Sequence, residues 1–343
     1  MARASEAPVL PARLRPTLWR RGIPQTQTAY VAVALAVLIV VIWVLAPVFM
    51  TPRNLLNISK NFSFIALISL GETLVIISGG IDLSVGSVCA LSAVVTMMLM
   101  RFFSATAAVQ VPGATIALAA LLALALAALI GVVNGLLIAR IRLSPFVTTL
   151  GMLSVARGMT YVVTQGRAQY PVGPDVASFT QFANGALLGL PTQLVYLLVL
   201  AVLMALALRH FVWGRHLYAI GGNAQAAALT GVRVPRVVLS VYVLSGLAAG
   251  FTGVLIAGWL GAAPANLATG YELRVIAAAV IGGANLAGGV GGAAGAVIGA
   301  ALIEVIRNGF VLIGANTYWE EVFVGVIIII AVLVDQLRTR RVV

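Results

Sequence analysis

Gly79-Gly80-Ile81-Asp82-Leu83-Ser84-Val85-Gly86 sits between two apolar runs, 65–78 and 85–100, and a second acid, Glu72, lies inside the upstream run. A carboxylate between bilayer-grade segments disfavours insertion by about 2.5–3.5 kcal/mol. That penalty falls where the backbone breaks and lines protein or a watery cavity. Glycine permits the break because it tolerates positive φ and lets other backbone come close. Two architectures satisfy these residues: a discontinuous element beside a transport path, or a tight turn at the membrane surface with Asp82 as N-cap to the next span.

Outward from this stretch the chain is apolar almost throughout. Its 343 residues are 62% hydrophobic and 9% charged, with mean hydropathy +1.10. A soluble domain carries about 25% charged residues. The composition therefore predicts an all-α polytopic transmembrane bundle. Apolar runs place about ten spans near 30–50, 62–79, 85–101, 114–138, 145–165, 193–208, 238–260, 273–284, 294–314 and 319–336. Residues 1–28 read as a cytoplasmic, disordered leader, 29–337 as the membrane domain and 338–343 as a cytoplasmic tail.

The net charge of +12 would elsewhere suggest nucleic acid. Here the cations are dispersed between spans and read as topology determinants, so no nucleic-acid partner is expected. Arg140 and Arg142 follow the fourth span, and Arg209, Arg215, Arg233 and Arg236 separate the sixth from the seventh. Arg338, Arg340 and Arg341 follow the tenth. Excess Arg and Lys marks cytoplasmic loops, so both termini are expected inside. Arg53, Lys60, Arg101 and Arg167 fall on the other side in this scheme. The connection 164–192 would be the main extracytoplasmic segment and 209–236 the main cytoplasmic one. In the latter, Asn223 reads as an N-cap and Gly231 as a C-terminal stop, framing a short surface helix.

Reactive chemistry is sparse. Lys60 is the one lysine and precedes Asn61, which excludes a phosphate-binding Gly-Lys-Ser/Thr loop. His210 and His216 have no acidic or thiol neighbours in sequence, so no metal site is expected. The single cysteine, Cys89, reads as a buried structural thiol. Glu304 has Arg307 three residues on, the spacing of a helical ion pair, and Glu272 is expected at an outer span end. Gly131 with Gly135, and Gly291, Gly295 and Gly299 in tandem, have the spacing of close helix contacts. Gly282-Gly283-Ala284-Asn285-Leu286-Ala287-Gly288-Gly289 echoes the opening stretch with an amide in place of the acid. No catalytic residue is expected.

The stretch from Gly71-Glu72-Thr73 through Ser87 resembles the signature of the ribose/xylose-type monosaccharide permeases of ABC importers. Further segments follow in that family's order: Asn134-Gly135, Pro145 through Met152, Ala156-Arg157-Gly158, Ala219 through Asn223, Leu229 through Val232, Tyr242 through Gly246, Gly270 through Leu273, and Leu286 through Gly289. The resemblance covers residues 45–337. It implies a permease in the bacterial inner membrane, a homodimer served by ABC ATPase subunits and an extracytoplasmic sugar-binding protein. ATP and Mg would be held in the partner ATPase, with no cofactor in this chain. It maps ATPase docking onto Gly221, Gly222, Asn223, Gln225, Leu229 and Gly231. The expected substrate path is Gly79, Gly80, Asp82, Ser84 and Gly86, then Glu72. Three residues depart from the family pattern: Gln225 and Arg274, where acids are usual, and Glu72, where an uncharged residue is common. The alternative class is an ion-coupled secondary transporter using Glu72 and Asp82.

Overall fold

The computed structural model describes residues 27–106 and 113–316, with isolated positions 319, 322, 325, 326 and 329 beyond. Most of the leader, the tenth predicted span and the C-terminal tail lie outside the described residues. Within them the chain is mostly helical, with eleven α-helices, of which eight are long and apolar enough to cross a membrane. The eight are α1 (Gln27–Leu45), α2 (Pro52–Ile77), α3 (Val85–Thr106), α4 (Ala114–Ala139), α5 (Pro145–Thr164), α7 (Thr192–His210), α9 (Val234–Leu260) and α11 (Ala293–Leu312). The remaining three are α6 (Val176–Asn184), α8 (Val212–Leu229) and α10 (Tyr271–Ile281).

The predicted span 273–284 is the point of difference. It corresponds to α10, whose 11 residues rise about 16 Å, half of a hydrocarbon core about 30 Å thick. Apolarity over a dozen residues identified a buried helix there and could not specify a crossing. The polar stretch before the second predicted span also behaves differently, because Pro52 at the first helical position starts α2 ten residues early. Lys60 then bonds the side-chain oxygen of Asn184 at 2.9 Å.

Small residues set the packing at the centre. In α9, a Cβ on Gly253 would collide with the carbonyl of Cys89 in α3, and one on Gly246 with that of Ala127 in α4. Gly131 meets the backbone of Tyr242, and Gly295 and Gly299 meet that of Gly282 and Ala278. Those glycines serve close helix contacts, as their spacing predicts. Gly291 does not, because it precedes α11 and lies against the Ile77 side chain. Cys89 is fully buried and unpaired, and Arg307 bonds both carboxylate oxygens of Glu304 across one turn, the shorter contact 2.7 Å.

One end of the bundle gathers the start of α1, the end of α2, the start of α9 and the segment after α10. Thr28 Oγ1 donates to the Gly282 carbonyl at 3.1 Å, and Tyr218 Oη to that of Gly291 at 2.8 Å. The other end is closed by the 164–192 connection. There Gln169 pairs with Ala263 in an antiparallel bridge, Asp175 accepts the Gly113 amide at 3.0 Å, and α6 packs Phe179 and Ala183 onto Gly258 of α9.

Candidate functional site

α2 ends at Ile77 because Gly79 takes the left-handed conformation, φ +83°, as glycine does after a helix C-terminus. The chain then reverses and runs back along α2. Ten residues past Glu72, the amide of Asp82 donates to Glu72 Oε1 at 3.0 Å. α3 therefore starts back along α2, near the level of Glu72. Asp82 makes an Asx turn just before that helix. Asp82 Oδ1 accepts the Ser84 amide at 3.0 Å and the Ser84 hydroxyl at 2.6 Å just before α3 begins.

Three other helices reach this turn. Ser245 of α9 donates to Asp82 Oδ2 at 3.0 Å, and Asn134 Nδ2 of α4 donates to Ser84 Oγ at 3.1 Å. The Thr149 hydroxyl of α5 is 3.3 Å from the Ile81 carbonyl while bonding Pro145 at 2.8 Å. Tyr242 packs its hydroxyl where a side chain on Gly80 would stand. Glu72 is 0% exposed, Ser84 1% and Asp82 2%. Both oxygens of Asp82 are thus satisfied within one chain, whereas Glu72 Oε2 has no hydrogen-bond partner. Of the predicted path residues, Glu72, Gly80, Asp82, Ser84 and Gly86 are buried around this polar knot, while Gly79 at the turn is exposed. On its far side Gly86 abuts Glu272, in the first turn of α10, and the Ala268 carbonyl. Arg157 fastens the segment before it to α5, bonding the Leu267 carbonyl at 2.7 Å.

The predicted docking residues lie at the bundle end where α2 stops. α8 is interrupted at Asn223, whose backbone is extended, φ −162° and ψ 103°. Its Oδ1 accepts the Ala226 amide at 2.9 Å, the geometry of an N-cap. Gly231 closes the second half with φ +89°. Asn223 and Gly231 therefore frame a short helix as their residue types predict. Most of that helix faces outward, with Gln225 exposed and Leu229 90% exposed.

Just before this helix, backbone meets backbone. A Cβ on Gly221 would overlap the Ile77 carbonyl oxygen and the Gly289 amide nitrogen, while one on Gly222 would meet nothing. The Gly289 amide donates to the Ile77 carbonyl at 2.9 Å, and Gly288 lies against Gly221 and Gly79. The echo segment, the opening turn and the docking segment form one three-way contact made by glycines.

Residue chemistry alone missed Ser245, Asn134 and Thr149. Their only signal was that each sits in a segment sharing the family resemblance. Among the described residues no group of three or more His, Cys, Asp or Glu side chains could hold a metal ion.

A bundle of eight helices long and apolar enough to cross a membrane, with a half-length helix beside a broken one, has the architecture of a polytopic α-helical membrane protein. The chain belongs to the family described as branched-chain amino acid transport system / permease component, whose model matches residues 54–332. It is 39% identical over 308 residues to the ribose import permease protein of Escherichia coli strain K12, covering 89% of this chain and 92% of that one. The Bacillus subtilis strain 168 ribose import permease protein is 36% identical over 89% of this chain and 91% of its own length. The galactose/methyl galactoside import permease protein of Escherichia coli K12 is 38% identical, over 90% and 94%. No solved structure matches the chain. The resemblance to monosaccharide permeases is borne out. These relatives are transport components, not enzymes, and none is named as an ion-coupled carrier.

Proposed function

We propose that this chain is the transmembrane permease subunit of an ABC importer for a monosaccharide or similar polyol. The observation that carries this reading is likeness, over about nine-tenths of both chains, to permeases named for ribose and galactose import. Two such chains would form the translocation unit in the bacterial inner membrane. Partner ATPase subunits would hold ATP and Mg, and an extracytoplasmic binding protein would deliver the sugar. Both termini are cytoplasmic in this reading, with 1–28 as leader and 338–343 as tail. It is supported by the cations Arg140, Arg142, Arg209, Arg215, Arg233 and Arg236, all in the two connections 140–144 and 209–236.

The exposed helix from Asn223 to Gly231 is the ATPase docking element, with Gln225 and Leu229 on the contact face. A rigid helix framed by a cap and a glycine stop can be pushed as a unit. Through Gly221 such a push would reach Ile77 and Gly289 directly, without side chains that absorb it. The turn holding Asp82 follows Ile77, so ATP binding would shift the end of α2 and the knot together. Asp82, Ser84, Gly79, Gly80, Gly86 and Glu72 then act as the pivot of the path wall that the dimer opens and closes.

The test is assembly and stimulation. The ATPase encoded with this chain is expected to co-purify with it, and its hydrolysis to rise when sugar-loaded binding protein is added. Scrambling 223–231 should abolish co-purification while leaving the chain monodisperse. Unchanged co-purification would reject the docking assignment. Calorimetry on the binding protein encoded alongside identifies the sugar, and a preference for a charged amino acid would reject the substrate class.

A further inference from the structure

Away from the knot, a groove of about 750 Å³ opens between α7 and the α4–α9 pair, with α2 as its floor. Leu67, Leu70 and Leu74 form the floor, and Val199, Leu203 and Phe251 are among the wall residues. Along α7 the lining runs from Val195 to Ala207, about 18 Å at the helical rise, close to the depth of one leaflet of a core about 30 Å thick. Its two polar side-chain atoms are already satisfied. Tyr196 Oη donates to the Phe182 carbonyl at 3.1 Å, and Trp213 Nε1 to Ser240 Oγ at 2.8 Å. Nothing remains to bind a sugar hydroxyl, and the rest of the lining is apolar.

The Trp213 end is basic. Arg236, Ser240 and Leu244 are successive i, i+4 positions of α9, so they lie on one stripe, and Leu244 lines the groove. Arg236 is exposed, one turn beyond the Ser240–Trp213 hydrogen bond. Arg215, two residues past Trp213, is also exposed and has only a 3.5 Å contact to the His210 carbonyl. The buried acids Glu72, Asp82 and Glu304 are all engaged elsewhere. An apolar groove as deep as one leaflet, ending near two arginines that have no acidic partner among the described residues, complements the shape and charge of an anionic phospholipid.

We infer that this groove is a binding site for an anionic phospholipid, whose acyl chain lies against α2 and whose phosphate meets Arg236 and Arg215. Each arginine near a charged membrane surface contributes about 1 kcal/mol. The two together correspond to roughly a tenfold or greater preference over a zwitterionic lipid with the same acyl chains.

The experiment exchanges phosphatidylglycerol against phosphatidylcholine on the purified full-length chain and reads bound lipid by native mass spectrometry. Wild type should retain phosphatidylglycerol about tenfold better. Arg236→Gln with Arg215→Gln should bring the two lipids to parity. Leu203→Trp, which fills the groove, should lose both, with Val199→Trp as a second filling variant should the first fail to fold. In a chain whose other tryptophans are replaced by Phe, brominated acyl chains should quench Trp213. Equal retention of both lipids by wild type would overturn the proposal. So would undiminished retention in a folded filling variant, or efficient cross-linking of two copies through Leu203→Cys, which would make the groove an interface between subunits.

Discussion

The stretch 79–86 and its echo 282–289 are built on the same local device and put it to opposite uses. Asp82 accepts the amide two residues on at 3.0 Å, and Asn285 accepts that of Ala287 at 2.7 Å. Both are Asx turns that carry the chain away from a helix C-terminus. Around Asp82, Ser84 and Ser245 of α9 donate to the carboxylate, Asn134 of α4 donates to Ser84, and Glu72 of α2 accepts the Asp82 amide. Around the echo, the neighbours are Gly221, Gly79 and the Ile77 carbonyl. A carboxylate accepts several donors at once, so it can tie helices into one body. An amide followed by glycines leaves bare backbone, against which another segment can press closely. In the proposed reading the first region fixes and the second transmits.

Removing the tie should have the largest effect. Asp82→Ala strands the Ser84 amide and the hydroxyls of Ser84 and Ser245, each buried group worth about 1–3 kcal/mol. A loss of about 3 kcal/mol or more is expected, read as a sharply lowered melting temperature in detergent. Next comes the contact itself. Gly221→Ala inserts a methyl group against two backbones, an overpacking of about 1–3 kcal/mol, and should depress uptake while the ATPase still co-purifies. Gly222→Ala, one residue away with no neighbour at its Cβ within this chain, should leave the melting temperature unchanged, unlike Gly221→Ala. Equal behaviour of the two glycine variants would remove the joint from the account. Ser245→Ala deletes one interhelical bond and should shift stability by about 0.6–2 kcal/mol. Asn285→Ala removes the acceptor of the Ala287 amide and should cost less than Asp82→Ala, about 0.5–1.5 kcal/mol for that bond. If it destabilised as much as Asp82→Ala, the contrast between the two turns would fail.

Much of this was legible in the residues and some was not. Gly79 as the break, Asn223 as a cap, Gly231 as a stop and the Glu304–Arg307 pair follow from local rules that act over four residues or fewer. The half-length of α10 was not legible, because an apolar run reports burial and not a crossing. Ser245 and Asn134 were invisible as partners of the turn. They lie 163 residues from Asp82 and 50 from Ser84, and a small polar residue in an apolar helix reads as packing. Glu72 reads as a departure from the family pattern and a path residue. That it holds the Asp82 amide is visible only once the chain doubles back.

The central claim is that this chain is a gate driven by hydrolysis in another subunit. Uptake of the sugar into proteoliposomes, measured with and without the partner ATPase and the binding protein, tests it most directly. The account predicts accumulation against a gradient only when both partners and ATP are present. Accumulation by the chain alone, driven by a proton or sodium gradient, would contradict it.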